Sequence, residues 1–451
     1  MAAADWARPR TVTSSSGEEA RLRRDARAML DGALAAVEPT ALVEEELRAR
    51  PLETGDRGRV VVLAVGKAAI GMAEGARRVL GGRIGEGLVL VPDWSGGHAP
   101  AGFEVYRGGH PLPDSDGVEG ARAIGDAARR ADASDRLLVL ISGGGSALLT
   151  LPAGDVSLAD VREVSRMLLR SGAPIGELNA VRKHLDTLKG GGLARVATPT
   201  PVRALILSDV VGDPLDVIAS GPLSPDPTTF GDAIEVLERR GLWASAPERV
   251  CRHLRLGRGG RLPETPKPVD RLFSSVETRV VGNAARAVAG ASATARELGY
   301  HVRIHSVGVT GEASVVGREL AGLGMEIRRL SSPLAMPVAL LAAGETTVTL
   351  LGDGKGGRNQ EVALGAALAL EGVPGVLVMA AGTDGVDGPS DAAGAMATGS
   401  TLDRARGTLL DAEDSLRRND AYPFFAVLDD LVNTGPTGNN VMDLMVVLVA
   451  T

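Results

Sequence analysis

The chain has 451 residues, with 49 Lys or Arg against 56 Asp or Glu, which gives a formal net charge of −7. This mild acidity provides no general attraction to nucleic acids or anionic membranes, and five Phe, three Tyr and three Trp offer few rings on which bases can stack. Composition therefore argues against a nucleic-acid-binding protein, while a 44% hydrophobic fraction suffices for a large aliphatic core.

No segment of the sequence is typical of secretion or of membrane insertion. The apolar runs stay below the roughly 18 residues of a membrane span, and the run at 441–450 is interrupted by Asp443. The first 25 residues lack the apolar stretch of a signal peptide. A single cysteine, Cys251, excludes a disulfide framework and a multi-cysteine metal site. We therefore expect a cytoplasmic protein.

The first half of the chain has the pattern of a parallel α/β domain. Residues 1–20 are predicted to be disordered, and a helix is predicted over 21–50. Four runs are apolar without alternation, as in strands covered on both faces, at 59–66, 86–93, 136–143 and 203–210. Amphipathic stretches between them predict helices over 68–80, 117–131 and 158–189. This alternation predicts a doubly wound, mainly parallel Rossmann-like sheet in an N-terminal domain of residues 21–253.

A stretch rich in Gly, Arg and Pro at 254–270 contains no apolar run and predicts a linker. Beyond it, strands are predicted at 276–282, 301–307, 337–352, 375–382 and 442–450. Helices are predicted over 283–298 and 360–370. These elements indicate a smaller C-terminal α/β domain with a mixed sheet, over 271–451. Because open α/β sheets bind ligands beyond the carboxyl ends of their strands, we expect the active site in the interdomain cleft.

Lysine is rare in this sequence, since only five of the 49 basic residues are lysines. Where arginine serves almost everywhere, a lysine indicates a position that needs a compact ammonium. Four of the five lie in or beside glycine-rich turns, which allow a backbone to turn sharply or to approach a ligand closely. The five lysines are Lys67, Lys183, Lys189, Lys267 and Lys355.

Three segments of the first half are candidates for binding an anion. Lys67 stands between a strand and a helix start, where free N–H groups attract anions; the alternative is a tight turn with a solvated lysine. Three glycines between two serines predict a nest of backbone N–H groups, at Ser142, Gly143, Gly144, Gly145 and Ser146. Lys189 ends a helix before three glycines, which is also ordinary helix capping. The Lys67 segment lacks the residue order of a phosphate-binding Walker loop. The nest does not match the GxSxG motif of a hydrolase nucleophile.

Carboxylates and a second glycine loop complete the candidates. Asp209 follows a strand directly, where a carboxylate can hold a metal or take a proton. Gly352, Gly354 and Gly357 match G-x-G-x-x-G, the dinucleotide fingerprint. The same loop carries Gly356 and two cations, Lys355 and Arg358, which favour a triphosphate or a migrating phosphoryl group.

Asp384 and Asp387 suit Mg²⁺ in a glycine-rich loop, with Asx turns as the alternative. A polar segment at 433–444 offers neutral hydrogen bonds from Thr434, Thr437, Asn439 and Asn440.

The order of these segments resembles the glycerate kinase family that ends in a MOFRL domain, over roughly residues 21–451. The resemblance is carried by VGKAA, GGHPLPDS, LISGGGSALL, LNAVRKHLDTLKGGGLA, SDVVGDPLDVIASGP, PDPTTF, GKGGRNQE, GTDGVDGPSDAAGA and GPTGNNVMDL. It implies ATP-dependent phosphorylation of (R)-glycerate to 2-phosphoglycerate, with a divalent metal. It also implies that Lys67 and Arg358 are active-site residues. Asn439 and Leu223 depart from the threonines common in the family.

The sequence thus predicts a kinase that takes ATP, Mg²⁺ and glycerate, with the catalytic residues Lys67, Arg358 and Asp209. The predicted nucleotide-binding residues are Ser142, Gly143, Gly144, Gly145, Ser146, Lys189, Gly354, Lys355, Gly356 and Gly357, and the predicted metal ligands are Asp384 and Asp387. Phosphorylation at the 3-hydroxyl is an alternative, as is an NAD(P)-dependent hydroxypyruvate reductase or a nucleotide-binding regulatory protein. The oligomeric state, monomer or homodimer, stays open.

Overall fold

A computed structural model describes residues 13–55, 58–330 and 337–450. The chain divides into two compact units, each containing a six-stranded sheet. One unit, here the parallel-sheet unit, comprises Val37–Asn283 and the short segment Gly438–Val441; the other, the mixed-sheet unit, comprises the rest of the described residues. No helix in the described ranges is long and apolar enough to cross a membrane.

The strands alternate with helices along most of the chain. In chain order the strands are β1 (Val60–Val65), β2 (Ile84–Pro92), β3 (Glu104–Gly108), β4 (Arg136–Ile141), β5 (Val202–Leu207), β6 (Val276–Gly282), β7 (His301–Val309), β8 (Val338–Gly344), β9 (Val376–Gly382), β10 (Gly394–Thr398), β11 (Leu431–Val432) and β12 (Asp443–Val449). The first six belong to the parallel-sheet unit and the last six to the mixed-sheet unit.

The helices vary from single turns to six turns or more. In chain order they are α1 (Thr13–Ala36), α2 (Pro39–Ala49), α3 (Ala69–Leu80), α4 (Ser115–Arg130), α5 (Gly145–Leu148), α6 (Leu158–Arg170), α7 (Ile175–His184), α8 (Gly192–Ala197), α9 (Phe230–Arg239), α10 (Glu248–Arg258), α11 (Ala284–Glu297), α12 (Ala313–Arg329), α13 (Arg358–Leu370), α14 (Thr401–Ala405), α15 (Ala412–Arg417) and α16 (Ala421–Leu428). Short 3-10 turns lie at Gly81–Arg83, Ile218–Ser220, Trp243–Ser245 and Arg271–Ser275.

The first sheet has the order β3-β2-β1-β4-β5-β6, and each neighbouring pair of strands is parallel. All six residues of β1 are buried. Since successive strand residues face opposite sides of the sheet, both faces are covered. Val61, Leu63 and Val65 share one apolar cluster with residues of α4 and α8. The predicted doubly wound parallel sheet is confirmed.

The second sheet is mixed, as predicted, with the order β11-β10-β9-β12-β8-β7. Only β7 and β8 are neighbours in parallel orientation among its described pairs, whereas β12 runs antiparallel to both β8 and β9. Every residue of β8, β9 and β12 is buried. An apolar cluster beneath them includes Phe424 and Phe425, whose rings meet edge to face.

The structure divides the chain differently from the predicted boundaries at 21–253, 254–270 and 271–451. Strand β6 was assigned to the C-terminal domain, yet it lies in the first sheet beside β5. The stretch predicted as a linker begins inside α10. The first helix was assigned to the N-terminal domain, yet α1 belongs to the mixed-sheet unit. A Cβ at Gly290 of α11 would lie 2.4 Å from the carbonyl oxygen of Gly32, so glycines allow α1 and α11 to cross closely.

Several predicted elements have other bounds in the structure. The prediction of disorder for residues 1–12 lies outside the described residues, whereas residues 13–20 are helical. The single helix predicted over 21–50 is wrong, because Pro39 begins a second helix that Glu38 caps through the N–H groups of Thr40 and Ala41. The helix predicted over 158–189 is likewise divided, into α6 and α7, by the turn that contains Gly172 and Pro174.

Candidate functional site

The turns after β1 and β4 form the centre of the site in the parallel-sheet unit. The strand order reverses direction between these two neighbours, so the loops that follow them open a crevice at the carboxyl edge of the sheet. Lys67 follows β1, and the nest Ser142–Ser146 follows β4. The two turns are joined, because the N–H of Lys67 donates to the carbonyl oxygen of Gly143 at 2.8 Å.

Ser142 connects the turn after β1 with the turn after β4 through hydrogen bonds. Its side chain is buried, and its hydroxyl accepts the N–H of Ala68 at 3.0 Å. Its own N–H donates to the carbonyl oxygen of Val65 at 2.9 Å. Gly66 has a φ of +118°, and a Cβ there would lie 2.3 Å from the Ser142 hydroxyl. These contacts give Ser142 a structural position, and nucleotide binding by its side chain stays a prediction.

Glycines of the nest allow charged side chains to come close to the backbone. A Cβ at Gly143 would lie 2.1 Å from Oδ2 of Asp209. The same oxygen accepts a hydrogen bond from the side-chain amide of Asn440 at 3.0 Å. A Cβ at Gly144 would lie 3.6 Å from Cγ of Lys67. The structure thus brings two of the predicted catalytic residues, Lys67 and Asp209, to adjacent glycines.

His110 also borders this nest, and sequence reasoning did not select it. A Cβ at Gly144, whose φ is +86°, would lie 3.1 Å from Cδ2 of the His110 ring. The signal that points to it is the GGHPLPDS segment, in which this histidine stands. Asn440 lies in the polar segment predicted to offer neutral hydrogen bonds. It reaches Asp209 because Gly438–Val441 joins the parallel-sheet unit.

Beside the nest lies a cavity of about 230 Å³ within the same unit. Its wall includes a glycine and a serine of the nest together with charged residues of α7 and the turn that follows it. The residues that line the cavity include His110, Gly144, Ser146, Arg182, Asp186 and Lys189. Gly145 lies behind this wall and begins α5, where a Cβ would be 2.7 Å from Cβ of Ala219.

Lys189 is a buried part of this wall. Its Nζ donates to Oδ2 of Asp186 at 3.0 Å, to the carbonyl oxygen of Leu149 at 2.5 Å and to the hydroxyl of Thr150 at 3.0 Å. Burial lowers the pKa of Lys189, and the adjacent Asp186 carboxylate opposes that shift. All three ammonium donors have protein acceptors, which favours a structural role over nucleotide contact.

The glycine loop that precedes α13 packs against protein backbone. A Cβ at Gly352 or at Gly354 would lie within 2.5 Å of the carbonyl oxygen of Arg418. At Gly356 it would lie 3.1 Å from a backbone nitrogen, and at Gly357 it would lie 2.4 Å from Cγ of Asp387. Close packing within the unit therefore accounts for these glycines.

The surroundings of this loop do not match a dinucleotide fingerprint. Strand β8 ends at Gly344, well before the first glycine of the motif, although the sequence pattern predicted a strand up to residue 352. Strand β12 lies between β8 and the next strand in the chain, β9. The motif is thus outside the unit of adjacent parallel strands that such a fingerprint requires. Lys355 is exposed, with its Nζ 3.8 Å from the centroid of the Tyr422 ring.

Arg358 is the first residue of α13 and is held by two carboxylates. Its Nε and Nη2 donate to the two oxygens of Asp443 at 2.5 and 3.0 Å, and its Nη1 donates to Glu345 at 2.5 Å. Burial acts to lower the pKa of Arg358, but the carboxylates of Asp443 and Glu345 raise it overall. The side chain is 33% exposed, so part of this fixed side chain is accessible to solvent.

Asp387 caps the same helix. Its carboxylate accepts the N–H groups of Asn359 and Gln360 at 3.1 and 2.8 Å, and burial raises its pKa to about 7. Asp384 is half-buried, and its Oδ1 accepts the N–H of Val386 at 3.2 Å, as an Asx turn does. Within the described ranges, no group of three or more His, Cys, Asp or Glu residues is placed to hold a metal ion. Metal binding by either aspartate stays a prediction.

Comparison with known proteins matches both halves of the chain. Residues 25–255 match a domain of unknown function, DUF4147, and residues 338–443 match the MOFRL family. The D-glycerate 2-kinase of Thermotoga maritima is 42% identical over 417 residues, which cover 92% of this chain and 95% of that protein. A putative hydroxypyruvate reductase of Agrobacterium vitis is 39% identical over 431 residues, which cover 95% and 94%.

A solved structure has the same fold. The crystal structure of glycerate kinase from Thermotoga maritima superposes with a TM-score of 0.87 at 40% sequence identity. The match covers 95% of this chain and 99% of that one.

Proposed function

The chain belongs to the glycerate kinase family, and on this premise we propose that it transfers the γ-phosphoryl group of ATP to (R)-glycerate, giving 2-phosphoglycerate and ADP. The observation that carries the proposal is the convergence of Lys67, Asp209 and the glycine nest at the switch point of the parallel sheet. Phosphoryl transfer needs positioning and compensation of negative charge rather than a protein nucleophile. A cation, a carboxylate and a nest of N–H groups supply those needs.

In this proposal the 2-hydroxyl oxygen of glycerate attacks the γ-phosphorus while the bond to the β–γ bridging oxygen breaks. The hydroxyl proton passes to the carboxylate of Asp209, whose orientation is held by the Asn440 amide at 3.0 Å. Lys67 compensates the charge of the transferred group. Arg358, pre-oriented by Asp443 and Glu345, offers a second fixed cation, and its action on the transferred group stays a prediction. A position of the reaction in an interdomain cleft stays a prediction.

The N–H groups of Gly143, Gly144 and Gly145 hold phosphate oxygens in this scheme. The loop of Gly354, Lys355, Gly356 and Gly357 also contributes to nucleotide binding, through the exposed ammonium rather than through its packed glycines. Ser142 and Lys189 support the nest, and Ser146 lines the cavity beside it. These assignments explain why the cations lie beside glycine-rich turns.

Mg²⁺ enters as the magnesium complex of ATP, in which phosphate oxygens provide most of the ligands. Asp387 is the less suited of the two predicted ligands, because each of its oxygens already accepts an N–H group of the helix. Asp384 fits as the one protein carboxylate of the predicted pair. Such an ion compensates phosphate charge. The cytoplasmic location also stays a prediction.

The reductase alternative is not favoured, because the G-x-G-x-x-G loop lies outside a pair of adjacent parallel strands and packs against its own unit.

Transfer to the 3-hydroxyl would give a different product, 3-phosphoglycerate, so the product distinguishes this alternative from the proposal. In ³¹P NMR of the protein with Mg-ATP and (R)-glycerate, we expect a new phosphomonoester signal split by one carbon-bound proton. Splitting by two protons would assign the 3-isomer, and no new signal would contradict the kinase.

A further inference from the structure

Arg182 is the cation in the cavity wall whose charge no described carboxylate balances. It lies on α7, and its Nε donates to the hydroxyl of Ser165 at 3.3 Å. Its neighbours are neutralised: Lys189 by Asp186 at 3.0 Å, and Lys183 by Asp226 at 3.3 Å. In the described part of the chain no ion pair of Arg182 is present, and its two terminal nitrogens make no hydrogen bond.

Burial makes this isolation costly. Arg182 is half-buried, and burial lowers its pKa, although a guanidinium stays protonated in proteins. A charge that is removed from water without a partner destabilises the fold. Such a group is compensated when an anion binds, and the planar guanidinium matches a carboxylate through two parallel hydrogen bonds. The wall therefore carries one positive charge that an anion bound in the cavity would compensate.

The size of the cavity selects among anions. Its volume of about 230 Å³ lies below the range of roughly 300–1,000 Å³ that is usual for drug-sized ligands. A space of this size suits a three-carbon acid better than a whole adenine nucleotide. Asp186 already neutralises Lys189, so among the described residues of the wall the guanidinium of Arg182 is left uncompensated. A single positive charge suits a monoanion better than a triphosphate.

The wall also offers a hydrogen-bond acceptor at Ser146. The hydroxyl of Ser220 donates to Oδ1 of Asn179 at 3.0 Å and lies 3.0 Å from the hydroxyl of Ser146. Since Ser220 has one proton and directs it to Asn179, Ser146 donates to Ser220. The lone pairs of Ser146 are then available to accept a hydrogen bond from a hydroxyl in the cavity.

We infer that this cavity binds the acceptor acid, with Arg182 holding its carboxylate and Ser146 accepting a hydrogen bond from one of its hydroxyls. The inference rests on the proposed kinase activity and adds the residue that recognises the acid. A carboxylate with a neighbouring hydroxyl is the shared chemistry of small hydroxy acids. The nucleotide is left to the nest and to the cations described above.

The test compares Arg182→Met and Arg182→Lys with wild type, and uses Arg170→Met as a matched control. Arg170 is an exposed arginine at the end of α6. We expect KM for (R)-glycerate to rise about 10- to 100-fold in Arg182→Met, as when a hydrogen bond to a charged group is lost. KM for ATP should stay within about two-fold, Arg182→Lys should recover part of the loss, and Arg170→Met should behave as wild type.

A second readout separates carboxylate recognition from a structural effect. Wild type should prefer glycerate to glyceramide, its neutral amide, and Arg182→Met should lose most of that preference in kcat/KM. Equal losses for both acceptors, an unchanged KM for glycerate or a raised KM for ATP would each overturn the inference. If Arg182→Met does not fold, the same ratio in Arg182→Lys decides. An inactive wild type would contradict the proposed function itself, whereas an active wild type with unaffected variants would contradict this inference alone.

Discussion

At the scale of single residues, the rare lysines have specific surroundings in the structure. Lys183 and Lys189 are buried and ion-paired, and Lys355 lies over an aromatic ring. Lys267 pairs with the carboxylate of Glu264 and donates hydrogen bonds to two threonines. Lys67 borders the glycine nest. A compact ammonium satisfies several acceptors from one point, which a flat guanidinium does not. The composition signal therefore identified special environments, of which only some are consistent with ligand binding.

Replacing Lys67 or Arg358 with Ala should lower kcat for glycerate phosphorylation by about 10²–10⁴, because each removes compensation of charge on the transferred group. Steady-state assays of ADP formation measure the effect. Arg122→Ala, an exposed position on α4, provides the matched control and should retain wild-type turnover. Near-normal kcat in both Lys67→Ala and Arg358→Ala would contradict the assigned roles.

At the scale of elements, the glycine loop before α13 shows how one sequence pattern serves two structures. The spacing of Gly352, Gly354 and Gly357 is that of a phosphate-binding turn, yet the missing side chains leave room for backbone at Arg418 and for the capping carboxylate of Asp387. A one-dimensional pattern reports where a side chain is excluded. It does not report whether protein or ligand occupies the space.

Gly354→Ala should lower the thermal midpoint of the mixed-sheet unit, because its Cβ would lie 2.5 Å from the carbonyl oxygen of Arg418. Gly322→Ala is the control in the same unit, since no atom lies within 4 Å of the added Cβ and the position is inside α12. It should raise stability by about 0.5–1 kcal/mol. Denaturation of both variants measures the difference, and equal midpoints would refute the packing argument.

At the scale of the whole molecule, the chain passes between the two units more than once. It begins in the mixed-sheet unit with α1, builds the parallel-sheet unit, and later returns Gly438–Val441 to it. That return brings Asn440 to Asp209. A boundary drawn once along the sequence therefore separates residues that fold together.

Stability should depend on pH through His253, which is buried on α10 beside Phe230. Burial lowers its pKa below the ordinary 6.5, so below that pH the unfolded chain binds the proton more readily. The free energy of unfolding should therefore fall as the pH drops below 6.5. Thermal denaturation between pH 7.5 and 5.5 should show a smaller fall in His253→Gln than in wild type. Exposed His98→Gln should behave as wild type, and an equal fall in His253→Gln would contradict the assignment.

The sequence by itself determined the α/β class, most of the strands and the family. A strand buried on both faces is apolar throughout, and β1 and β4 carry that local signature. It also placed Lys67 and the nest after neighbouring strands. The short strands β3, β10 and β11 escaped detection, since little in their few residues distinguishes them from loops.

Only the tertiary structure decided which sheet receives β6, which unit receives α1, and which charges remain uncompensated in the cavity wall. Arg182 and Lys189 look alike in sequence, as two cations on one predicted helix. Asp186 neutralises Lys189, whereas no described carboxylate reaches Arg182. Pairing of charges depends on distances in space between residues that a linear pattern does not bring together, and for that reason the sequence alone did not reveal the acid-binding residue we infer.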